Sequence, residues 1–382
     1  MPGHRTCYLL RVHPQDELRH LLRPSGGGLY LVSTGKAEQL ALQRRLYDAP
    51  DHASVKRAFD AAIDRLPDAR AFLLAVPSDV GAGFRRGANL GPQAIREALL
   101  QAVPSFPELA RESGLVDLGD VFVVPQLLHD SMLSEAQLQR SRRALYPDLS
   151  AEARDLLPVS PLSIAERALD LVFSLKRDLC PVLLGGDHST AWPVVSALSR
   201  ARTDRWAIVQ SDAHTDLLEE RLGVQYCFAT WSWHANELFQ RDGRLVQVGI
   251  RASGRDKAHW EGTLGVRQLW ADECMSDQGA AIDAIVAHLR SADATSVYFS
   301  NDIDGTDSRW ASATGTPEPR GLSPEFLVAL MRRMAEEFSV IGGDVMEVAP
   351  PLGESPEATT TTIQLAVRYL RETLTAILDT PL

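Results

Sequence analysis

From residue 71 onward, short runs of β-branched and other apolar residues alternate with helical patterns, and this alternation is the strongest constraint on the fold. The apolar runs cover residues 71–76, 115–121, 181–184, 206–211, 244–250, 296–300 and 339–348. Strands that alternate with helices form a parallel sheet with helices on both faces. The sequence therefore predicts an α/β fold of this kind, which ends in a helix from about 357 to 378.

The first seventy residues carry a different pattern. A turn at 23–28 is followed by helical patterns at 36–47 and 54–66, without a cluster of side chains that could carry chemistry. Residues 122–160 are a polar, partly helical insertion. The expected organisation is an α/β extension over residues 1–70 and a main domain over residues 71–382, with the insertion at about 122–160.

Composition narrows the classes of partner. The 382 residues include 39 Lys and Arg against 50 Asp and Glu, a net charge of −11, with no block of like charge. This argues against nucleic acid or an anionic membrane as the main partner and leaves room for a small cationic substrate. The start of the chain lacks the apolar region of a signal peptide, and no later run approaches the roughly 18 apolar residues of a membrane span. We therefore expect a cytoplasmic enzyme.

The cysteines carry no metal or disulfide pattern. They are scattered, and no two form a Cys-x-x-Cys pair, so neither a disulfide framework nor a thiolate zinc site is indicated. We expect buried thiols at all of these positions: Cys7, Cys180, Cys227 and Cys274.

The segment "SDAHTDL" (211–217) spaces three metal-compatible side chains two positions apart, at Asp212, His214 and Asp216. It follows a predicted strand, and side chains in an extended chain alternate between faces with a period of two. The three groups should therefore point the same way from the carboxyl end of that strand and converge on one spot.

Two other predicted strands end in similar side chains. "PVLLGGDHST" (181–190) places His188 just after a strand, and "SVYFSNDIDGTD" (296–307) places Asp302 and Asp304 two apart after another. In open parallel sheets, ligands bind beyond the carboxyl ends of the strands. Three strand ends thus bring six candidate metal ligands to one crevice: His188, Asp212, His214, Asp216, Asp302 and Asp304.

Four carboxylates and two imidazoles suit two divalent cations, because four carboxylates neutralise a charge of 4+. A set rich in carboxylates favours Mn²⁺ over Zn²⁺, with Ni²⁺, Co²⁺ or Fe²⁺ as alternatives. Two such ions about 3.5–4 Å apart would lower the pKa of a water and yield hydroxide at neutral pH. Singly, an Asp-His pair or an Asp-x-Asp motif is more often a loop cap or an acidic turn. Independent motifs of that sort would not repeatedly select the same end of the sheet.

These motifs resemble the signature blocks of the ureohydrolases, the arginase and agmatinase family, and in particular its agmatinase-like branch. The blocks are "GGDHS", "SDAHTDL", "SNDIDGTD" with "ATGTPEPRGL", and "GGDVMEVAPPLG". The likeness extends upstream to residues 76–99 and covers roughly residues 71–378. It implies a three-layer α/β/α sandwich with a mainly parallel sheet, a binuclear manganese centre, hydrolysis of a guanidinium carbon–nitrogen bond to urea and an amine, and a trimeric or hexameric homo-oligomer.

The resemblance also implies roles for individual residues. It places the six metal ligands where the spacing had already indicated them. It adds Glu347, in "DVMEVAP", as the carboxylate that pairs with the substrate guanidinium, and Thr316, in "ATGTPEP", as part of the same pocket. In the mechanism that follows, Asp216 carries a proton to the departing amine. Taken alone, Glu347 could equally be a strand-end carboxylate that caps a neighbour.

The loop after the Asp-x-His-x-Asp block departs from the family pattern. A His-Gly pair is usual there as a proton shuttle or positioning group, but this chain has Cys227, Phe228 and Ala229 where that pair should fall, in "GVQYCFATWSWHANEL" (223–238). His234 could replace the missing shuttle, although a histidine beside Trp233 is more often packed or at the surface.

The same departures bear on the substrate. The loop "ASGRDK" (252–257) lacks the acidic residue expected to hold the α-amino group of arginine. We therefore expect an agmatine-like compound, a guanidino acid or a very small guanidine rather than arginine. Phe228, Trp231 and Trp233 should wall and shorten the pocket. The candidate substrate-binding residues are Glu347, Thr316, Phe228, Trp231 and His234.

Two functions from other classes remain open. A dimetal phosphoesterase uses related motifs, but its blocks run in another order and end in a Gly-His-x-His loop that this chain lacks. A non-catalytic, metal-binding oligomer of the same fold is the more serious alternative, because the loop histidine is missing. The retained ligands and Glu347 favour the enzyme.

Overall fold

The computed structural model describes residues 13–380 and is built around one nine-stranded sheet. The strands are β1 (Leu22–Arg23), β2 (Ala71–Val76), β3 (Leu115–Val121), β4 (Cys180–Gly185), β5 (Trp206–Ser211), β6 (Leu245–Ile250), β7 (Arg267–Trp270), β8 (Ser296–Asp302) and β9 (Ser339–Met346). Their order across the sheet is β1-β3-β2-β4-β9-β8-β5-β6-β7. Every pairing is parallel except that of β1 with β3. The predicted alternation of strands and helices is confirmed.

Helices cover both faces of this sheet. They are α1 (Pro14–Leu21), α2 (Lys36–Tyr47), α3 (His52–Asp64), α4 (Gly91–Ala102), α5 (Phe106–Ser113), α6 (Glu135–Leu145), α7 (Ala151–Arg154), α8 (Pro161–Leu175), α9 (Trp192–Ala201), α10 (Trp231–Leu238), α11 (Lys257–Leu264), α12 (Ala271–Ser276), α13 (Gln278–Ser291), α14 (Pro324–Glu337) and α15 (Pro356–Leu378). None of the helices between residues 13 and 380 combines the length and apolarity needed to cross a membrane.

Two hydrophobic cores lie on opposite faces of the sheet, and the strands feed both. Along β2, Leu73 and Ala75 pack into the core under α4, α13, α14 and α15, whereas Phe72 and Leu74 pack into the core under α1, α3, α8 and α9. This alternation is the period-two geometry of a strand that is buried on both sides. The three-layer α/β/α sandwich is confirmed.

The N-terminal segment adds the short strand β1 to one edge of the sheet. Leu22 of β1 lies opposite Val121 of β3, and the backbone N–H of Gly28 donates to Asp120 Oδ2 at 3.0 Å. Neither β1 nor the other edge strand, β7, was predicted, because two and four residues are too few to show a period. The boundaries of the extension and of the insertion stay a prediction.

The insertion reaches the loop that departs from the family pattern. Its helices α6 and α7 are held by contacts such as that of the Tyr146 hydroxyl, which donates to the carbonyl of Pro158 at 2.6 Å. Near its start, the His129 ring lies 4.9 Å from the ring of Tyr226, measured between centroids. The predicted insertion therefore contacts this loop at Tyr226.

A buried ion network ties α4 to β3. Arg96 is 1% exposed; its guanidinium donates to Asp120 Oδ1 at 2.5 Å and to Asp117 Oδ1 at 2.8 Å. Because Asp120 also accepts the Gly28 N–H, the network joins the extension to the sheet. Removing the arginine would leave a buried carboxylate without a counter-charge.

We therefore predict that Arg96→Met lowers the free energy of unfolding by about 3–5 kcal/mol. Arg332→Met is the control, since Arg332 pairs with Glu372 at the surface and its loss should cost about 1 kcal/mol or less. Urea titration followed by tryptophan fluorescence measures both. Equal losses in the two variants would contradict a stabilising role for the buried network.

Candidate active site

Four strands that are neighbours in the sheet carry the predicted site residues at their carboxyl ends. They stand in the order β4, β9, β8 and β5, so their ends form one continuous edge. Glycines after β4 allow a close turn; a Cβ on Gly186 would lie 1.8 Å from the Ser78 carbonyl oxygen. The edge presents seven of the predicted side chains: His188 after β4, Asp212, His214 and Asp216 after β5, Asp302 and Asp304 from the end of β8, and Glu347 after β9.

One group of potential metal ligands surrounds His188. Its Nδ1 lies 3.1 Å from Asp302 Oδ2, 3.3 Å from Asp212 Oδ2 and 3.3 Å from Asp216 Oδ2. His188, Asp212 and Asp302 each offer one ligand atom, and these atoms lie within 4.8 Å of one another. Asp216 is not part of that three-residue group, but its contact with His188 places it at the same spot.

A second group shares one member with the first. His214 Nδ1 lies 3.2 Å from Asp304 Oδ2 and 3.6 Å from Asp212 Oδ1. Asp212 thus turns one oxygen towards His188 and the other towards His214. A carboxylate shared in this way can bridge two cations.

The pKa values of the clustered side chains reflect an excess of buried negative charge. Burial, reinforced by Asp304 and Asp212, raises the pKa of Asp302 well above its usual range, and burial with Asp212 does the same for Asp216. Burial alone would lower the pKa of His214, but Asp304 and Asp212 outweigh it and raise this pKa to about 12. These three shifts favour protonation, as expected of acids buried beside other acids. Asp212 differs: burial would raise its pKa, but His188 and His214 outweigh burial and hold this pKa below its usual range. The donor set therefore fits two divalent cations.

His188 is oriented from behind. Its Nε2 lies 3.0 Å from the Ser300 hydroxyl, which donates to Asp344 Oδ1 at 3.0 Å, and the Tyr298 hydroxyl donates to Asp344 Oδ2 at 2.9 Å. Such a chain fixes the ring so that Nδ1 faces the carboxylates. Ser300, Tyr298 and Asp344 were not predicted as positioning residues. Ser300 could have been, because it lies two residues before Asp302 and hence on the same face of β8.

Trp231 contacts the cluster from the protein side. Its Nε1 donates to Asp216 Oδ2 at 3.0 Å, and its indole stacks on the His188 ring with the centroids 4.5 Å apart. The side chain is 1% exposed and does not line the cavity described below. Trp231 therefore contacts the ligands His188 and Asp216 from the protein interior and does not form the predicted wall of the pocket.

A cavity of about 540 Å³ opens onto the cluster. Glu347 and Asp216 lie at its buried end, and Thr316 and Phe228 contribute to its walls. Glu347 Oε1 accepts the backbone N–H of His188 at 3.0 Å, and the Thr316 hydroxyl donates to Asp304 Oδ2 at 2.8 Å. Burial and the charge of Asp302 raise the pKa of Glu347, as expected of a carboxylate that is placed out of water beside another acid.

His234 does not line this cavity. Its Nε2 lies 3.0 Å from the Gln225 carbonyl oxygen, and its ring is surrounded by Trp192, Tyr226 and Trp233. Burial lowers the pKa of its imidazole. These contacts favour the packed histidine over the replacement shuttle. Trp233 is half-buried in the same cluster and is not a wall of the cavity either.

The cysteines between residues 13 and 380 are free thiols. Cys227 and Cys274 are buried and Cys180 is half-buried, whereas Cys7 lies outside the described residues. Burial raises the pKa of the Cys227 thiol. This thiol, in the stretch where the family usually has the loop histidine, therefore stays neutral near pH 7 and cannot act as an imidazole would.

A row of buried glutamines runs from the cluster across three strands. Gln210 Nε2 donates to Asp212 Oδ2 at 2.8 Å, and Gln210 Oε1 accepts from Gln247 Nε2 at 2.8 Å. Gln247 Oε1 in turn accepts from Gln268 Nε2 at 2.8 Å. The three residues occupy one register of β5, β6 and β7, and all are fully buried. We call them the glutamine row. In the sequence, only Gln210 can be linked to the site, because it lies two residues before Asp212 and hence on the same face of the extended chain.

Comparisons with known proteins agree with this geometry. The sequence model of the arginase family matches residues 69–375. The guanidinobutyrase of Pseudomonas aeruginosa is 28% identical over 285 residues, which cover 74% of this chain and 79% of that protein. The mitochondrial guanidino acid hydrolase of Homo sapiens is 30% identical over 314 residues, which cover 80% of this chain and 78% of that protein.

A solved structure gives the same result. Proclavaminate amidino hydrolase from Streptomyces clavuligerus superposes with a TM-score of 0.59 at 25% sequence identity, over 81% of this chain and 92% of that chain. The resemblance inferred from the four sequence blocks is confirmed. The chain belongs to the arginase family.

Proposed function

We propose that the protein is a metal-dependent amidinohydrolase that cleaves a carbon–nitrogen bond of a guanidino compound to give urea and an amine. The observation that carries this proposal is the position of Asp212, which is shared by two groups of metal-compatible ligands next to a cavity that contains the buried carboxylate of Glu347. The names of the relatives, a guanidinobutyrase and a guanidino acid hydrolase, agree with it.

The ligand set would hold two divalent cations through His188, Asp212, His214, Asp216, Asp302 and Asp304. Mn²⁺ is the ion that this carboxylate-rich set favours, with Ni²⁺ as the alternative. When bound, the two ions supply Lewis acidity that makes water a competent nucleophile at neutral pH.

The protein's own residues then position the substrate and move the proton. Glu347 accepts hydrogen bonds from the N–H groups of the planar guanidinium and so holds the guanidinium carbon facing the ligand cluster. Water adds its oxygen to that carbon, the bond to the substituted nitrogen breaks, and both protons of the water end on that nitrogen, with Asp216 as their carrier. The products are urea and a protonated amine, so atoms and charge balance.

Thr316 and Trp231 serve this chemistry by fixing carboxylates. Thr316 donates to Asp304 and Trp231 donates to Asp216, which leaves fewer free orientations for either side chain. We further propose a trimeric or hexameric assembly and a cytoplasmic location. The complete ligand set and Glu347 favour this enzyme over a non-catalytic oligomer or a dimetal phosphoesterase.

Asp302→Ala should lose both metal and activity, because a cation held by fewer carboxylates is under-neutralised. Elemental analysis of the purified protein, with a urea-release assay on the same sample, measures both. Asp170→Ala is the control, since this carboxylate pairs with Arg200 at the surface and should retain two metals per chain. Two tightly held metals in Asp302→Ala would refute the ligand assignment.

Glu347→Gln should keep both metals and the fold but lose most turnover, because a neutral amide cannot match the charge of the guanidinium. We expect kcat/KM to fall about a hundredfold or more. Metal content, measured in parallel, separates this loss from damage to the ligand cluster. Wild-type rates would show that the substrate is held elsewhere.

Gln210→Met should weaken metal binding about tenfold to a hundredfold, because Asp212 would lose the amide that orients it. Gln268→Met is the matched control: it also breaks the glutamine row, but two strands away from Asp212. Metal affinity, measured by competition with a chelating dye, should be lower in the first variant than in the second. Equal affinities would assign the row a purely structural role.

A further inference from the structure

The cavity carries acidic side chains at its buried end and basic side chains near its opening. Its buried end carries Glu347 and Asp216, which are 6% and 7% exposed. Three arginines line the same cavity nearer its opening: Arg85 is half-buried, and Arg221 and Arg255 are exposed. We call these three the mouth arginines.

Within the described part of the chain, the mouth arginines have no acidic partners. Among residues 13–380, no carboxylate forms an ion pair with any of the three, whereas the neighbouring Arg86 contacts Asp79 and Lys257 pairs with Glu273 at 2.8 Å. Of the described residues that line the cavity, Asp216 and Glu347 are the two with carboxylates. An ammonium group on a substrate tail would therefore meet three positive charges at the opening and no counter-charge.

The unusual loop fixes one of these arginines in place. Arg221 and Val224 exchange both backbone hydrogen bonds at 2.9 Å around Leu222 and Gly223, whose φ angles are 54° and 80°. This is the backbone of a tight two-residue hairpin turn. The Arg221 guanidinium lies 4.8 Å from the centroid of the Phe228 ring, within cation–π range.

Phe228 therefore provides a contact that a residue without a side chain could not provide. Its ring also lies against Gly83, where an added Cβ would be 3.4 Å from Phe228 Cζ. The ring thus stands between the two loops that border the cavity and supports the Arg221 guanidinium at its opening.

We propose that the preferred substrate is a guanidino carboxylate, with its guanidinium on Glu347 and its carboxylate among the mouth arginines. This inference rests on the proposed function and narrows its substrate class. A zwitterion of this type carries a cation and an anion at opposite ends, which matches the division of charge along the cavity. Arginine side chains bind carboxylates through paired, charge-assisted hydrogen bonds.

A matched substrate series tests the proposal on the metal-loaded, full-length enzyme. The compounds are 4-guanidinobutanoate, its neutral amide, and agmatine, which ends in an amine. Urea release should give the highest kcat/KM for the acid, a lower value for the amide and the lowest for agmatine. Raising the salt concentration to about 0.5 M should raise KM for the acid more than for the amide, since salt screens exposed charges.

Variants locate the effect. Arg221→Gln and Arg255→Gln should each raise KM for the acid about tenfold, and should reduce the preference for acid over amide. Lys257→Gln removes one positive charge two residues from Arg255 but outside the cavity, and should leave that preference unchanged.

The outcomes separate this inference from the proposed function. Faster hydrolysis of agmatine than of the acid would overturn the inference and leave the amidinohydrolase standing. An unchanged acid-to-amide preference in both arginine variants, or an equal loss in Lys257→Gln, would also overturn it. Release of urea from none of the three compounds, with two metals bound, would overturn both.

Discussion

The site depends on the close approach of buried carboxylates around a single shared one, Asp212. Carboxylates that are taken out of water and placed within a few ångströms of one another repel, and such a cluster is stable only with compensating cations. The sheet makes the approach possible because β4, β9, β8 and β5 are neighbours whose ends coincide. Much of the surrounding structure, from Ser300 and Asp344 to Trp231, holds these charges in fixed positions.

Backbone strain is concentrated at the same place. Nine described non-glycine residues have a φ in the left-handed region, and of these only Asp216 and Glu347 are buried. Their φ values are 52° and 62°, a conformation that costs a non-glycine residue about 1 kcal/mol. Both residues follow strands, and the sharp change of direction aims each carboxylate into the cavity. The two residues that we assign to proton transfer and guanidinium binding are thus the two buried residues with a strained backbone conformation.

The strands and the positions of the ligands could be predicted because each rests on a local pattern. Strands buried on both faces are continuous apolar runs, and ligands spaced by two at strand ends share a face. Features that depend on the order of the strands could not be predicted. Nothing local says that β9 lies beside β8, which is what lets Asp344 reach Ser300, or that the loops carrying Arg85, Arg221 and Arg255 border one cavity. The interpretation of Trp231 as a pocket wall differs from the structure, because no local pattern shows that its indole N–H reaches Asp216 Oδ2.

The glutamine row has a direction. A carboxylate oxygen can only accept, so Gln210 must present its amide nitrogen to Asp212 and its oxygen to the next strand, and the same choice passes on to Gln247 and Gln268. The indole N–H of Trp270 completes the sequence by donating to Gln268 Oε1 at 3.0 Å. Every amide dipole in the row is therefore aligned towards the negative charge, and each polarises the next. If any one of these amides were flipped, two buried acceptors or two buried donors would face each other. The charge of the ligand cluster therefore sets the orientation of every amide from Asp212 to the edge of the sheet.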